Sequence, residues 1–179
     1  MPSSHPGQLN EIVNEIRRVN PERLLDIGVG FGKYGFLARE YLELWDGRER
    51  IGDWQRTIDG IEAHGPYIGP WQEAVYDSIH IGDALTILPG LGSYDLILII
   101  DCLEHFECAD GEALLREAVQ HGPVLVSVPK SVDFSQADAF GNPYEVHRSQ
   151  WSVTDLRSIA PCKTVRNDAS IICHLSGGM

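Results

Sequence analysis

No stretch of this sequence approaches the roughly 20 consecutive apolar residues that span a bilayer. The longest strongly apolar run, Leu96 to Ile100, is too short even for the core of a secretion signal. Residues 1–7 are polar, and a cytoplasmic protein is expected. The four cysteines, Cys102, Cys108, Cys162 and Cys173, form no CxxC pair. With no secretory context either, neither a zinc ribbon nor a disulfide framework is supported, and ordinary buried or half-buried thiols are expected. Positive charge is scarce: 14 Lys and Arg stand against 26 Asp and Glu, a formal net charge of −12. Affinity for a phosphate backbone rests on clustered cations, so nucleic acid is not an expected partner. The longest basic cluster, residues 48–50, is broken by Glu49 and reads as a solvated turn. Gly and Pro together supply 28 of 179 residues, too few for a low-complexity chain, and neither an internal repeat nor an interdomain linker is visible.

What is present fits one domain over residues 1–179, with 43% hydrophobic residues. A chain of this length can bury roughly 70% of its unfolded surface. Short β-rich runs alternate with stretches of helical period, the pattern of a doubly wound α/β fold with helices on both faces of a mostly parallel sheet. Leu9, Ile12, Val13, Ile16 and Val19 predict an opening helix stopped by Asn20-Pro21. Seven strands are expected, at residues 23–27, 57–62, 78–81, 94–100, 123–128, 163–166 and 169–174, the last two as an antiparallel pair at the edge. Helices are expected at about 33–44, 71–76 and 112–121, and after Ser152, which reads as a cap with Asp155 in the first turn. Residues 46–55 are charged, aperiodic and contain two glycines; they read as an inserted loop that could lie near a ligand. Residues 129–150 read as a long loop.

The most informative segment is Leu24-Leu25-Asp26-Ile27-Gly28-Val29-Gly30-Phe31-Gly32: a strand, an acid near its carboxyl end, three alternating glycines, then a helix. Glycines let the backbone turn sharply and approach a ligand that no Cβ would tolerate. A phosphate-binding P-loop would need Ser or Thr where Tyr34 follows Gly32-Lys33, and glycine where Ile27 stands. A G-x-G-x-x-G dinucleotide fingerprint fails at its third glycine, replaced by Lys33. Asp26 would repel a pyrophosphate but attract a cation. S-adenosylmethionine carries an ammonium and a sulfonium and no phosphate, so the charge sign favours it. Alternating glycines also occur in purely structural turns, and the bend alone leaves that role open. Gly60-Ile61-Glu62 adds an acid at the end of the second strand, where ribose hydroxyls are held. Glu62 lies 34 residues after Gly28, an interval lengthened by the insert from the usual 20 or so. Gly82-Asp83-Ala84 either brings Asp83 to an adenine amino group or uses it as a helix cap.

With LLDIGVGFG, Glu62, Asp83 and YDLILIIDCLEHF (residues 94–106) in this order, the chain resembles the class I, Rossmann-like S-adenosylmethionine-dependent methyltransferases over nearly its whole length. FGKYGFLAREYL, IDGIEAHGPYI and GNPYEVHRSQW are similar to a small group of bacterial methyltransferase-like proteins. The resemblance implies that Asp26 and the turn of Gly28, Gly30 and Gly32 hold the methionine end. It further implies that Glu62 holds the ribose, Asp83 and Ala84 the adenine region, and that Asp101, Cys102 and Leu103 form the pocket wall.

Methyl transfer is an in-line displacement in which alignment and exclusion of water supply much of the acceleration, so only some acceptors need a base. His105, just after the fourth strand, is the leading candidate; the alternative is an imidazole hydrogen-bonded at a helix start. In the loop over residues 141–151, His147 is a second candidate base, Arg148 an anchor for an acidic substrate, and Tyr144 or Trp151 an apolar wall. Packing of that loop on the sheet is the alternative. Asn142-Pro143-Tyr144 approaches the N-P-P-Y motif of nucleic-acid amino methyltransferases, but lacks the second proline and falls outside the turn after the fourth strand. Asp101, Glu104, His105 and His147 have the ligand types of a metal site, yet no HxxxH or HxH pair anchors one, and no metal is expected. The expected cofactor is S-adenosylmethionine, the expected partner a small-molecule methyl acceptor, and the protein association admitted is a homodimer. The rival is a non-catalytic subunit or scaffold that binds the same cofactor; a dinucleotide-dependent oxidoreductase stands third.

Overall fold

Asn20 takes a left-handed conformation (φ 53°), closes α1 (Leu9–Val19) and turns the chain into β1 (Arg23–Ile27). The glycine bend follows, then α2 (Lys33–Leu42), β2 (Thr57–Glu62), α3 (Pro70–Val75), β3 (Ser78–Ile81), α4 (Ala84–Ile87) and β4 (Leu96–Ile100). After α5 (Cys108–His121) and β5 (Val124–Pro129) come α6 (Val153–Ile159), β6 (Cys162–Val165) and β7 (Ser170–Leu175). This computed structural model describes residues 3–130 and 141–176; the middle of the long loop expected over 129–150 lies outside the described residues. The sheet order is β3-β2-β1-β4-β5-β7-β6, with β1 to β5 mutually parallel and β7 antiparallel to both β5 and β6.

The two-residue period of the strands divides the core. Leu24, Leu96, Leu98 and Leu125 face α1, α2 and α3, whereas Leu25, Ile27, Ile97, Ile99 and Val126 face α4, α5 and α6. Leu96–Ile100 is therefore buried on both sides, which is why it is continuously apolar. Strand order reverses between β1 and β4, so the crevice for a ligand opens at their carboxyl ends.

Several boundaries differ from the sequence expectation for local reasons. α2 stops at Leu42 and a 3-10 turn, Leu44–Asp46, follows. β4 starts at Leu96 because the Asp95 carboxylate accepts from the backbone N–H groups of Glu22 and Arg23 instead of facing a strand partner. α5 begins at Cys108, a turn earlier than residue 112, running straight through Gly111. The Trp151 ring fills the space there: a Cβ on Gly111 would come within 2.5 Å of it. Cys108 is consequently exposed, not buried as expected; Cys102 and Cys162 are half-buried and Cys173 is buried.

The insert at 46–55 is corrected in place. It joins the end of α2 to the start of β2, and so lies at the amino-terminal end of the strands, opposite the ligand crevice. Its anchor is the buried Glu43, whose carboxylate pairs with Arg48 and accepts from the backbone N–H groups of Gln55 and Arg56. Arg39, also buried, donates to the carbonyls of Val75 and Arg56 and pairs with Asp77 at 2.7 Å, its guanidinium lying 4.4 Å from the centre of the Trp54 ring. No helix of the described residues is long and apolar enough to cross a membrane.

Candidate cofactor and acceptor site

Gly28, Gly30 and Gly32 all have positive φ (87°, 50° and 84°), a conformation that costs an L side chain about 1–2 kcal/mol. The bend they make lies against the end of β2, where the backbone N–H groups of Gly28 and Val29 donate to the Ile61 carbonyl. A Cβ on Gly28 would come within 2.8 Å of Cys102 Sγ. Beyond the bend opens a cavity of about 1000 Å³. Ligand pockets commonly measure about 300–1000 Å³, so there is room for a nucleoside and a second small molecule together.

Asp26 lines this cavity and is 3% exposed. Burial raises its pKa to about 7, against the hydrogen bond that Tyr76 Oη donates to Oδ2 at 2.6 Å; the nearby Glu62 charge adds to the rise. Glu62 is also raised by burial, opposed by two backbone donors: Gly30 N–H reaches Oε2 at 2.9 Å and His64 N–H reaches Oε1 at 2.8 Å. Both oxygens are thereby held in place on a residue that lines the cavity. Asp83 and Ala84 line the cavity as well, and Asp83 caps α4 through Oδ1, which accepts from Leu85 N–H at 2.9 Å.

The turn after β4 behaves differently from a simple wall. Asp101 has φ 47°, and its carboxylate is taken up by His5 N–H at 2.8 Å, Gln8 Nε2 at 2.6 Å and Ser127 Oγ at 3.1 Å. It thus straps the amino-terminal segment across the bend, where Ser3 to Pro6 line the cavity and Lys33 Nζ donates to the Ser4 carbonyl. Cys102 faces the cavity, its thiol pKa pushed up by burial. Leu103 does not: it is fully buried beneath the turn, in the core beside Trp151. Trp151 is corrected likewise, since its ring packs on Gly111 and its indole N–H donates to Ser149 Oγ at 2.8 Å, pointing into the core rather than towards a substrate.

The loop expected to pack or to bind packs on the turn after β4 and lines the cavity as well. The backbone N–H groups of Arg148 and Ser149 donate to the Glu104 carbonyl at 2.8 and 3.1 Å, docking this loop on the turn after β4. Docking brings His147 against His105, ring centres 4.9 Å apart. His105 Nδ1 lies 3.2 Å from the Val146 carbonyl, an acceptor, which leaves Nε2 outside that contact; burial lowers the pKa of the ring. Tyr144 is exposed at the cavity mouth, while the Arg148 guanidinium, also at the cavity, approaches Glu107 at 3.4 Å. Sequence reading missed Tyr67, Asn142 and Glu145, which meet in one buried network: Tyr67 Oη and Asn142 Nδ2 both donate to Glu145 Oε1. Their signal, polar residues beside Pro66 and Pro143, is too common to single out.

No family model matches the chain, and no curated protein matches it in sequence. Solved structures do match in shape, and they define the fold: it is that of the class I, Rossmann-like S-adenosylmethionine-dependent methyltransferases. One match is an O-methyltransferase family protein from Burkholderia thailandensis, with TM-score 0.63 and 10% identity over 94% of this chain and 56% of that one. A SAM-dependent methyltransferase from Archaeoglobus fulgidus matches with TM-score 0.58 and 19% identity, covering 84% of this chain and 66% of the other. The N-terminal domain of EvdMO1, crystallised with SAH and D-fucose, gives TM-score 0.63 at 15% identity, covering 98% and 85%. The chain thus spans little more than half the length of the first of these.

Proposed function

We propose that this protein is a cytoplasmic methyltransferase that uses S-adenosylmethionine and acts on a small-molecule acceptor. The observation that carries the reading is the pair of buried carboxylates, Asp26 and Glu62, on either side of a glycine bend that faces a cavity large enough for donor and acceptor. The donor group fits these residues: a cation for Asp26, two hydroxyls for Glu62, and a backbone free of Cβ atoms between them. When bound, S-adenosylmethionine supplies a methyl group activated on a sulfonium. Asp26 would hold the ammonium, Glu62 the ribose and Asp83 the adenine edge. The strapped segment at residues 3–6 would exclude water. His105 and His147 face the remaining space, as groups that accept a proton from, or orient, the acceptor. The SAH-bound domain of EvdMO1 and the O-methyltransferase neighbour support the cofactor and the reaction class.

Calorimetric titration with S-adenosylhomocysteine at several pH values tests the binding half. The sign follows from Asp26. A carboxyl whose folded pKa lies above its unfolded value of about 3.9 stabilises the fold at low pH, and that contribution is lost as pH rises through about 7. The ligand ammonium selects the ionised form, so affinity runs the other way, roughly tenfold weaker at pH 6 than at pH 7.5 and levelling off above. Asp26→Asn should flatten this profile. Absence of binding at millimolar ligand would overturn the reading. Methyl transfer to pooled small metabolites, measured with labelled donor, separates an enzyme from a non-catalytic subunit.

A further inference from the structure

We infer that Glu104, His105 and His147 form a binding site for a divalent transition-metal ion on the acceptor side of the cavity. One ligand atom from each of the three lies within 4.8 Å of the others. Bonds of about 2.0–2.2 Å to one ion require ligand atoms about 3–4 Å apart, a closure within the reach of side-chain rotation. The site is built from two parts of the chain, the turn after β4 and the loop docked on it through the Glu104 carbonyl.

Two further observations point to a cation. Glu104 is 3% exposed, and its Oε2 is buried with no hydrogen-bond partner among the described residues, a costly arrangement for a carboxylate unless something positive meets it. Among the described residues, nine carboxylate residues line the cavity against three cationic side chains, Lys33, Lys130 and Arg148, and Arg148 is drawn to Glu107. The His105 ring is also held as metal-bound imidazoles are: Nδ1 faces the Val146 carbonyl and Nε2 is left for the ion. Asp101 is not a ligand, because its oxygens hold His5, Gln8 and Ser127.

Two imidazoles and one carboxylate suit zinc, manganese, iron or cobalt rather than magnesium or calcium, which favour all-oxygen shells. Three protein ligands leave open positions, filled by water or by an oxygen of the acceptor, so with the ion bound the two imidazoles orient the acceptor through the metal and do not take its proton. That last step rests on the proposed methyl transfer and selects hydroxyl- or carboxylate-bearing acceptors; the ion site itself does not depend on it.

The test uses the full chain, stripped with a chelator and titrated with Co²⁺, whose visible absorption reports the ligand set, with S-adenosylhomocysteine affinity measured in parallel. One Co²⁺ per chain is expected, displaced by Zn²⁺ and weakened at least ~10-fold in both His147→Ala and the isosteric Glu104→Gln, with S-adenosylhomocysteine affinity unchanged. A protein that binds S-adenosylhomocysteine but no Co²⁺, or whose Co²⁺ affinity stays at the wild-type value in both variants, overturns the metal site. Co²⁺ binding sensitive to both variants without any S-adenosylhomocysteine binding supports the metal site and overturns the proposed function instead.

Discussion

Valine in place of Gly30 is expected to abolish binding of S-adenosylmethionine and its demethylated product while the protein stays folded. Gly30 has φ 50°, where a β-branched side chain is strained by about 1–2 kcal/mol. The new side chain would also stand at the cavity wall, where the donor needs close approach to the backbone. Relief of the strain would rotate the Gly30 N–H away from Glu62 Oε2, which it now reaches at 2.9 Å. One substitution therefore removes the cradle, fills part of it and disorients the carboxylate beside it. A loss of more than ~100-fold in calorimetric affinity is expected, since three costs of order 1–2 kcal/mol act together. Gly30 is only partly buried, so the circular dichroism spectrum should stay native. An affinity within a factor of a few of the wild type would place the donor elsewhere.

The second large effect is expected at Glu62. Its carboxylate accepts from Gly30 and His64, which shapes the bend, and in the proposed function it also holds the ribose from the cavity wall. Hydrogen bonds to a charged group contribute about 1.5–3 kcal/mol each, so Glu62→Ala should weaken S-adenosylhomocysteine by about 100-fold or more. Glu62→Gln keeps the shape but gives up the charge and one acceptor, and should cost about tenfold. Comparison with S-adenosylhomocysteine lacking its ribose hydroxyls isolates the contact: the penalty of Glu62→Ala should largely vanish for that ligand. An equal penalty with both ligands would assign Glu62 a purely structural role.

Much of the fold is legible in the sequence. Six of the seven strands begin within a residue of where the sequence places them, and the most deeply buried of them leave a continuous hydrophobic record because both of their faces are covered. The bend was legible because its glycines are set by backbone conformation, and Asp26 and Glu62 because they sit at strand ends in a fixed topology. What failed depends on tertiary placement. Trp151 reads as a polar-loop aromatic and turns inward because Gly111, forty residues earlier, leaves a hole for its ring. Leu103 follows the strand that lines the cavity yet drops below it. The approach of His147 to Glu104 and His105 has no local signature, since it is created by two backbone hydrogen bonds between segments more than forty residues apart. The strap from His5 to Asp101 is invisible for the same reason.

The placement of residues 46–55 has a practical corollary. The cavity and the anchorage of the insert occupy the two opposite poles of the strands, so each can be altered without disturbing the other. Gly52 lies at the distal pole, and a side chain there would meet nothing within 4 Å. In a protein whose exposed Cys108 has been replaced by serine, a cysteine at that point offers a handle for a fluorophore or a sensor surface away from the cavity.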